Sequence, residues 1–225
     1  MARRELKSRD SKWAQFLSKW VATKTNITPN AISVISVFFS LIAFCGYCLY
    51  LTPIAKSSLY FILPIIVIFG IQMRLICNLI DGMVAVEGGK KSITGGIYNE
   101  FPDRLADTFI IVGAGIAGQT YLSLILAIFA ALLAVLTAYT RLLGGTLGAE
   151  QYFSGPMAKQ HRMAFLTGAA VVSLFQPFYS QINIRMYPVV LGLMCFGCVL
   201  TVINRLLKIT KDLKNNAAVF FREKY

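Results

Sequence analysis

The sequence predicts an all-α integral membrane protein: six transmembrane helices, preceded by an N-terminal interfacial amphipathic helix, with both termini in the cytoplasm. Three observations lead to this fold class. Of the 225 residues, 56% are hydrophobic and only 14% charged, far from the balance of a soluble domain. Several apolar runs approach the ~20 residues that carry a helix across a bilayer. The formal charge of +12 is also distributed very unevenly. Twenty of the 22 Lys and Arg lie in the N-terminal segment, between spans two and three, between spans four and five, or in the tail; only Lys56 and Arg185 fall on the other side. Cationic loops stay cytoplasmic, so this asymmetry orients the chain. The composition excludes disorder and a nucleic-acid partner, since a basic chain of either kind is polar throughout. It fits a lipid bilayer, with inner-face cations beside anionic headgroups. The five cysteines (Cys45, Cys48, Cys77, Cys195, Cys198) sit in or beside apolar runs, where a thiol acts as a small hydrophobe, and show neither disulfide nor zinc spacing.

Each element follows from its local pattern. After MARRELKSRD, the residues Trp13, Phe16, Leu17, Trp20 and Val21 recur at spacings of three and four between charges, as in a helix lying in the interface. No signal-peptide core or cleavage site precedes it, so this segment is expected on the mature protein. Span one runs from Ala31 to Leu51 after TNITPN, where Thr28 or Asn30 caps and Pro29 sets the turn. Span two begins near Ser58, and its helical period continues through Arg74, Asn78, Asp81 and Ala85. A helix of that length, about 42 Å at 1.5 Å per residue, overreaches the ~30 Å hydrocarbon core, so its polar end projects into the interface. Past the Gly-rich VEGGKKSITGG, span three is expected over about Tyr98 to Gly118, with Pro102 marking either a kink or the helix start. Span four covers Tyr121 to Leu143, span five Met163 to Gln181 with Pro177 inside it, and span six Tyr187 to Leu207. No fixed-period repeat is visible. The expected organisation is a single domain over 1–225: interfacial helix and lead-in 1–28, six-span core 29–208, basic cytoplasmic tail 209–225.

Chemistry concentrates in one place. Five of the ten acidic residues (Asp81, Glu87, Glu100, Asp103, Asp107) fall within 27 consecutive positions. Ionisable groups at membrane depth mark function. Asn78, Asp81 and Ala85 share one face of span two; Gly95, Asn99, Asp103 and Asp107 share one face of span three. Packed as a hairpin, the two helices bring three carboxylates and two amide oxygens together. An all-oxygen set suits a hard cation such as Mg²⁺ or Mn²⁺ and offers zinc neither thiol nor imidazole. The bland alternative is that these acids simply pair with Arg74, Arg104, Lys90 and Lys91. Clustering several like charges without a cation is costly, however, which favours a site. A second constellation, Arg141, Lys159 and Arg162, lies between spans four and five. It either binds the phosphate of a second substrate or contributes loop charge alone.

These residues carry a resemblance. N78-L-I-D81-G82-M-V-A85-V86, eight residues, then G95-x3-N99-x3-D103 is similar to the CDP-alcohol phosphotransferase signature, D-x2-D-G-x2-A-R-x8-G-x3-D-x3-D, with every spacing kept. The resemblance implies a metal-dependent membrane transferase, using Mg²⁺ or Mn²⁺, that moves a phosphatidyl or related phosphoalcohol group from a CDP-linked lipid to an alcohol or phosphorylated alcohol and releases CMP. The family's use of CDP-diacylglycerol in phospholipid synthesis makes that lipid the expected donor. Asn78, Asp81, Asn99, Asp103 and Asp107 would be the metal set, with Asn78 and Asn99 where the family has aspartates. Asp81, Gly82, Ala85 and Gly95 would lie against the CDP donor, and Val86 replaces an arginine. Asp103 would accept the alcohol's proton, and Asp107, one turn deeper, would restore a charge as a second catalytic group. Arg141, Lys159 and Arg162 would hold an acceptor phosphate. The implied location is a multi-pass protein of a bacterial inner membrane with its site facing the cytoplasm, and a homodimer is compatible with it. Two readings compete: a degenerate relative that binds lipid or nucleotide without turnover, and a small transporter, against which stands the position of the acids at the cytoplasmic end of the spans.

Overall fold

The computed structural model describes residues 7–86, 88–90, 92–175 and 186–224. Pro177, the last residues of the expected fifth span, Glu87, Lys91 and Arg185 lie outside the described residues. The described residues form seven α-helices: α1 (Lys12–Lys24), α2 (Pro29–Cys48), α3 (Ile62–Val86), α4 (Gly95–Ala117), α5 (Tyr121–Thr146), α6 (Lys159–Leu174) and α7 (Met186–Lys224). Among the described residues there is no strand. Among the described residues, four segments are long and apolar enough to cross a membrane: Pro29–Leu51, Ile62–Val86, Tyr121–Thr146 and Met186–Asn216. The outward faces are apolar, with Phe38, Phe69, Leu132 and Phe196 all exposed. A bundle that shows water such faces would aggregate; this is a membrane protein.

The termini of the helices follow local rules. Thr28 caps α2, its Oγ1 accepting from Ala31 N at 3.2 Å, and Pro29 occupies the first turn, where its missing N–H costs nothing. Thr120 and Ser123 cap α5 reciprocally. Several boundaries differ from the sequence expectation; α6, for one, begins at Lys159 rather than Met163. Helix α4 already starts at Gly95 and carries Pro102 in its interior, so the pyrrolidine leaves the Tyr98 carbonyl without its helical donor. Helix α7 continues past Leu207 to Lys224, because no Gly or Pro follows Gly197 to stop it. The basic tail is therefore helical over 209–224.

Helix α2 organises the packing. Both α3 and α4 lie against it, whereas α3 and α4 barely meet each other. The expected α3–α4 hairpin is thus replaced by two helices splayed across a third. Small residues make this approach feasible: Ser33, Ser36, Ser40, Ala43 and Gly46 are buried along α2. Gly70 of α3 is the tightest contact on this seam, since a Cβ there would lie 2.7 Å from both Ala43 N and Phe39 O. Backbone atoms cannot rotate away. We expect Gly70→Ala to destabilise by about 1–3 kcal/mol through overpacking. Gly168→Ala, where nothing lies within 4 Å, serves as the neutral control. Unfolding midpoints of the two variants in detergent check this.

The rest of the bundle closes around that seam. Helix α5 joins α4 to α7, and α6 bridges α3 and α7. Helix α1 rests on α3 through Ala14, packed with Leu79 and Met83, while Trp13, Phe16 and Trp20 stay exposed for the interface.

Candidate active site

The splay of α3 from α4 leaves a cavity of about 850 Å³ between their polar faces. Asn78, Asp81, Gly82 and Ala85 line it from α3; Gly95, Asn99, Glu100 and Asp103 line it from α4. Arg141 of α5 and Lys159 and Arg162 of α6 line it from the opposite wall. The two constellations legible in the sequence therefore share one cavity.

Asp81 is 4% exposed. Its Oδ2 accepts from Ser33 Oγ of α2 at 2.5 Å, while Oδ1 is buried with no hydrogen-bond partner. Asp103 is held from several sides: Asn78 Nδ2 donates to Oδ1 at 2.7 Å, and Lys159 Nζ pairs with Oδ2. Arg74 lies 3.6 Å from Oδ1 and Arg104 3.7 Å from Oδ2. Desolvation, with Arg74 close by, pushes the Lys159 ammonium down to about 8 against the pull of Asp103 and Asp107.

Asp107 is placed differently from its expected role. It lies beneath the cavity wall, with Oδ1 paired to Arg74 and Oδ2 to Arg162 Nη2 at 2.7 Å. Both oxygens are paired to buried guanidiniums, so the charge of Asp107 is compensated within the chain. The expected acceptor-phosphate cations are likewise engaged. Arg162, 1% exposed, also donates through Nη1 to Met157 O at 3.0 Å and Thr137 Oγ1 at 3.3 Å. Arg141 Nη2 lies 2.6 Å from both Glu100 carboxylate oxygens, and its guanidinium stacks 4.8 Å over the Phe153 ring. Each of the three cations thus faces a carboxylate of α4.

Gly82 and Gly95 are not packing glycines. The nearest atoms to a Cβ at these positions are Arg9 Nη2 at 3.7 Å and Ser92 Oγ at 3.4 Å, ordinary contacts, and both residues line open space. That distinguishes them from Gly70 and Gly113, which neighbouring helices press against. Sequence reasoning missed Ser33, Arg9 and Glu100 as parts of this wall. Ser33, Ser36 and Ser40 at helical spacing inside an apolar span were the available signal for a polar seam on α2.

No family model matches the chain. Inner membrane protein YnbA of Escherichia coli (strain K12) is 27% identical over 139 residues, a match that spans 62% of this chain and 64% of the relative's length. Two crystal structures of Mycobacterium tuberculosis phosphatidylinositol phosphate synthase (PgsA1) superpose on the fold. The one with CDP-DAG bound gives a TM-score of 0.61 at 14% identity, covering 88% of this chain and 94% of that one. The complex with manganese and citrate gives 0.61 at 16% identity, covering 87% and 88%. The synthase fold is this chain's fold. In this chain Asp81, Glu100 and Asp103 line the cavity between the splayed helices, and Asp107 does not.

Oxygen donors at the cavity suit a hard divalent cation. Among the described residues, no group of three or more His, Cys, Asp or Glu side chains is placed to hold a metal ion. Two carboxylates supplemented by amide oxygens are a different set, and one member, Asp81 Oδ1, is a buried anion oxygen lacking any hydrogen bond. A buried carboxylate oxygen in that state is stabilised by a cation.

Proposed function

We propose that this chain is a transferase of the CDP-alcohol phosphatidyltransferase type, with six membrane spans, both termini and the cavity on the cytoplasmic side. It moves a phosphatidyl group from a CDP-linked lipid, CDP-diacylglycerol, to an alcohol and releases CMP. One observation carries the reading: Asp81 and Asp103, spaced as in the family signature, face one cavity from two helices together with Asn78, Asn99, Gly82 and Gly95. The likeness to a synthase crystallised with CDP-DAG, and separately with manganese, supports it. So does the charge asymmetry of the sequence.

The chain's own residues account for the steps. Gly82, Ala85 and Gly95 leave room for the cytidine and diphosphate to lie against the helix backbones. The acceptor's hydroxyl oxygen attacks the lipid-side phosphorus; a new P–O bond forms, the phosphoanhydride bond breaks, and CMP leaves with the electron pair. The hydroxyl proton passes to the Asp103 carboxylate, which Asn78 and Lys159 orient. Asp81, with the Asn78 and Asn99 oxygens, would hold Mg²⁺ or Mn²⁺, which when bound supplies charge stabilisation at the transferred phosphate. Arg141, paired with Glu100, would face the acceptor in this reading. An acceptor phosphate would have to displace Glu100 from Arg141.

The test is CMP release by the purified protein in lipid, with CDP-diacylglycerol, Mn²⁺ or Mg²⁺ and a panel of free and phosphorylated alcohols. Metal-dependent CMP that requires one acceptor supports the transferase. Bound CDP-lipid without CMP under every combination would establish the non-catalytic reading instead. A second variant probes the amides. Asn78→Asp puts a carboxylate oxygen beside Asp103 Oδ1, where an amide N–H now donates. We expect Asn78→Asp to slow CMP release by about tenfold at fixed Mn²⁺, since two like charges in contact cost more than an oxygen donor gains. Initial rates over a Mn²⁺ series check it.

A further inference from the structure

Asp81 and Asp103 are chemically unequal although they face one cavity. Asp103 has both oxygens satisfied: an amide N–H and Arg74 at Oδ1, Lys159 and Arg104 at Oδ2. Its charge is compensated from within the chain. Asp81 has no basic partner among the described ion pairs, and its one recorded side-chain hydrogen bond comes from a neutral hydroxyl, Ser33 Oγ at 2.5 Å. It is 4% exposed, yet Oδ1 has no hydrogen-bond partner. A buried carboxylate with no ion pair among those described, beside one held by three cations, fits one further positive charge rather than two.

Lys159 is what makes the difference. It reaches Asp103 from α6, across the cavity from α3 and α4, and its side chain keeps 22% exposure, so its ammonium stands at the cavity surface. An ammonium there occupies the volume and supplies the charge that a cation at Asp103 would otherwise supply. The amides fit the same count. Asn78 turns its Nδ2 toward Asp103, a donor where a metal site needs only acceptors, so its carbonyl oxygen is the atom it can offer a cation. Asn99 is exposed in the cavity and adds an oxygen without adding charge.

We propose that the cavity takes a single divalent cation at Asp81, with Asn78 and Asn99 as neutral oxygen donors, and that Lys159 serves at Asp103 as a resident cation in place of a second metal. Asp103 is then a charged group positioned by Lys159 rather than a metal ligand. The inference rests on the transferase reading only in taking this cavity as the active site, and metal binding can be measured without turnover.

The experiment is Mn²⁺ binding to the purified full chain in lipid nanodiscs, by calorimetry for stoichiometry and by electron paramagnetic resonance for spin coupling. Wild type is expected to bind one Mn²⁺ per chain, with the hyperfine spectrum of an isolated ion. Asp81→Asn weakens that binding at least tenfold, whereas Asp103→Asn changes it less than threefold. Lys159→Met admits a second Mn²⁺ and a spin-coupled signal; Lys159→Arg, which keeps the charge and controls for folding, stays at one. Two Mn²⁺ on wild type, none at all, equal losses in the two aspartate variants, or one Mn²⁺ on a folded Lys159→Met protein would each overturn the proposal. CMP release measured on the same samples separates the two conclusions. Turnover with two ions refutes the resident lysine and keeps the transferase; one ion without turnover does the reverse.

Discussion

Asp81→Asn is expected to lower CMP release by about 10³-fold or more, equivalent to ~4 kcal/mol of transition-state stabilisation. The substitution is isosteric and removes the one carboxylate at the cavity that no Lys or Arg side chain compensates among the described ion pairs. Its structural cost is small by the same reasoning. An asparagine oxygen still accepts from Ser33 Oγ, now 2.5 Å from Oδ2. Replacing a buried, half-satisfied anion by a neutral amide removes a desolvation penalty rather than adding one. The protein should therefore insert, purify and unfold like wild type while losing turnover. Rates with saturating CDP-diacylglycerol and Mn²⁺, beside an unfolding curve of the same sample, make the comparison. A rate near that of wild type would refute the site. A collapse of stability along with the rate would show that Asp81 holds α2 to α3 and does no more.

How much of this was legible in the sequence depends on which physical signal each feature leaves. Membrane embedding was plain, because runs such as Ala31–Leu51 have no soluble explanation. The polar faces were plain too, since three- and four-residue spacing puts Asn78 with Asp81, and Asn99 with Asp103, on single helix faces. Two things were not legible. That α2 would stand between α3 and α4 depends on Ser33, Ser36, Ser40 and Gly46 admitting close neighbours, a tertiary preference that small residues only permit. The partners of the charged residues also escaped, because no spacing rule joins Arg141 to Glu100 or Lys159 to Asp103, 41 and 56 positions apart. The trio expected to hold a phosphate lines the cavity, but its pairing with the carboxylates of α4 was not readable from spacing. Asp107 shows the same limit: its helical register with Asp103 is correct, but register cannot tell a group facing the cavity from one turned to the arginines below it.

Asp107 therefore carries the second large expectation, in stability rather than rate. Arg74 is fully buried and Arg162 is 1% exposed, and both pair with this carboxylate. Asp107→Leu leaves two guanidiniums in the bundle with no counter-charge beyond Asp103, 3.6 Å from Arg74. We expect a loss of about 3–5 kcal/mol, the usual cost of breaking a buried pair from one side. The remedy follows from the same count. Adding Arg162→Met removes one orphaned charge and leaves Arg74 to Asp103, so the double variant should recover about half of the lost stability, an interaction visible in a double-mutant cycle. The double variant also separates structure from chemistry. If Asp107 only ties α3 and α6 to α4, CMP release in the refolded background should return to within about tenfold of wild type. A double variant that is stable yet inactive would mean that Asp107 takes part in the reaction, as its place in the sequence first suggested, and that the pairing with Arg74 and Arg162 opens when substrate enters.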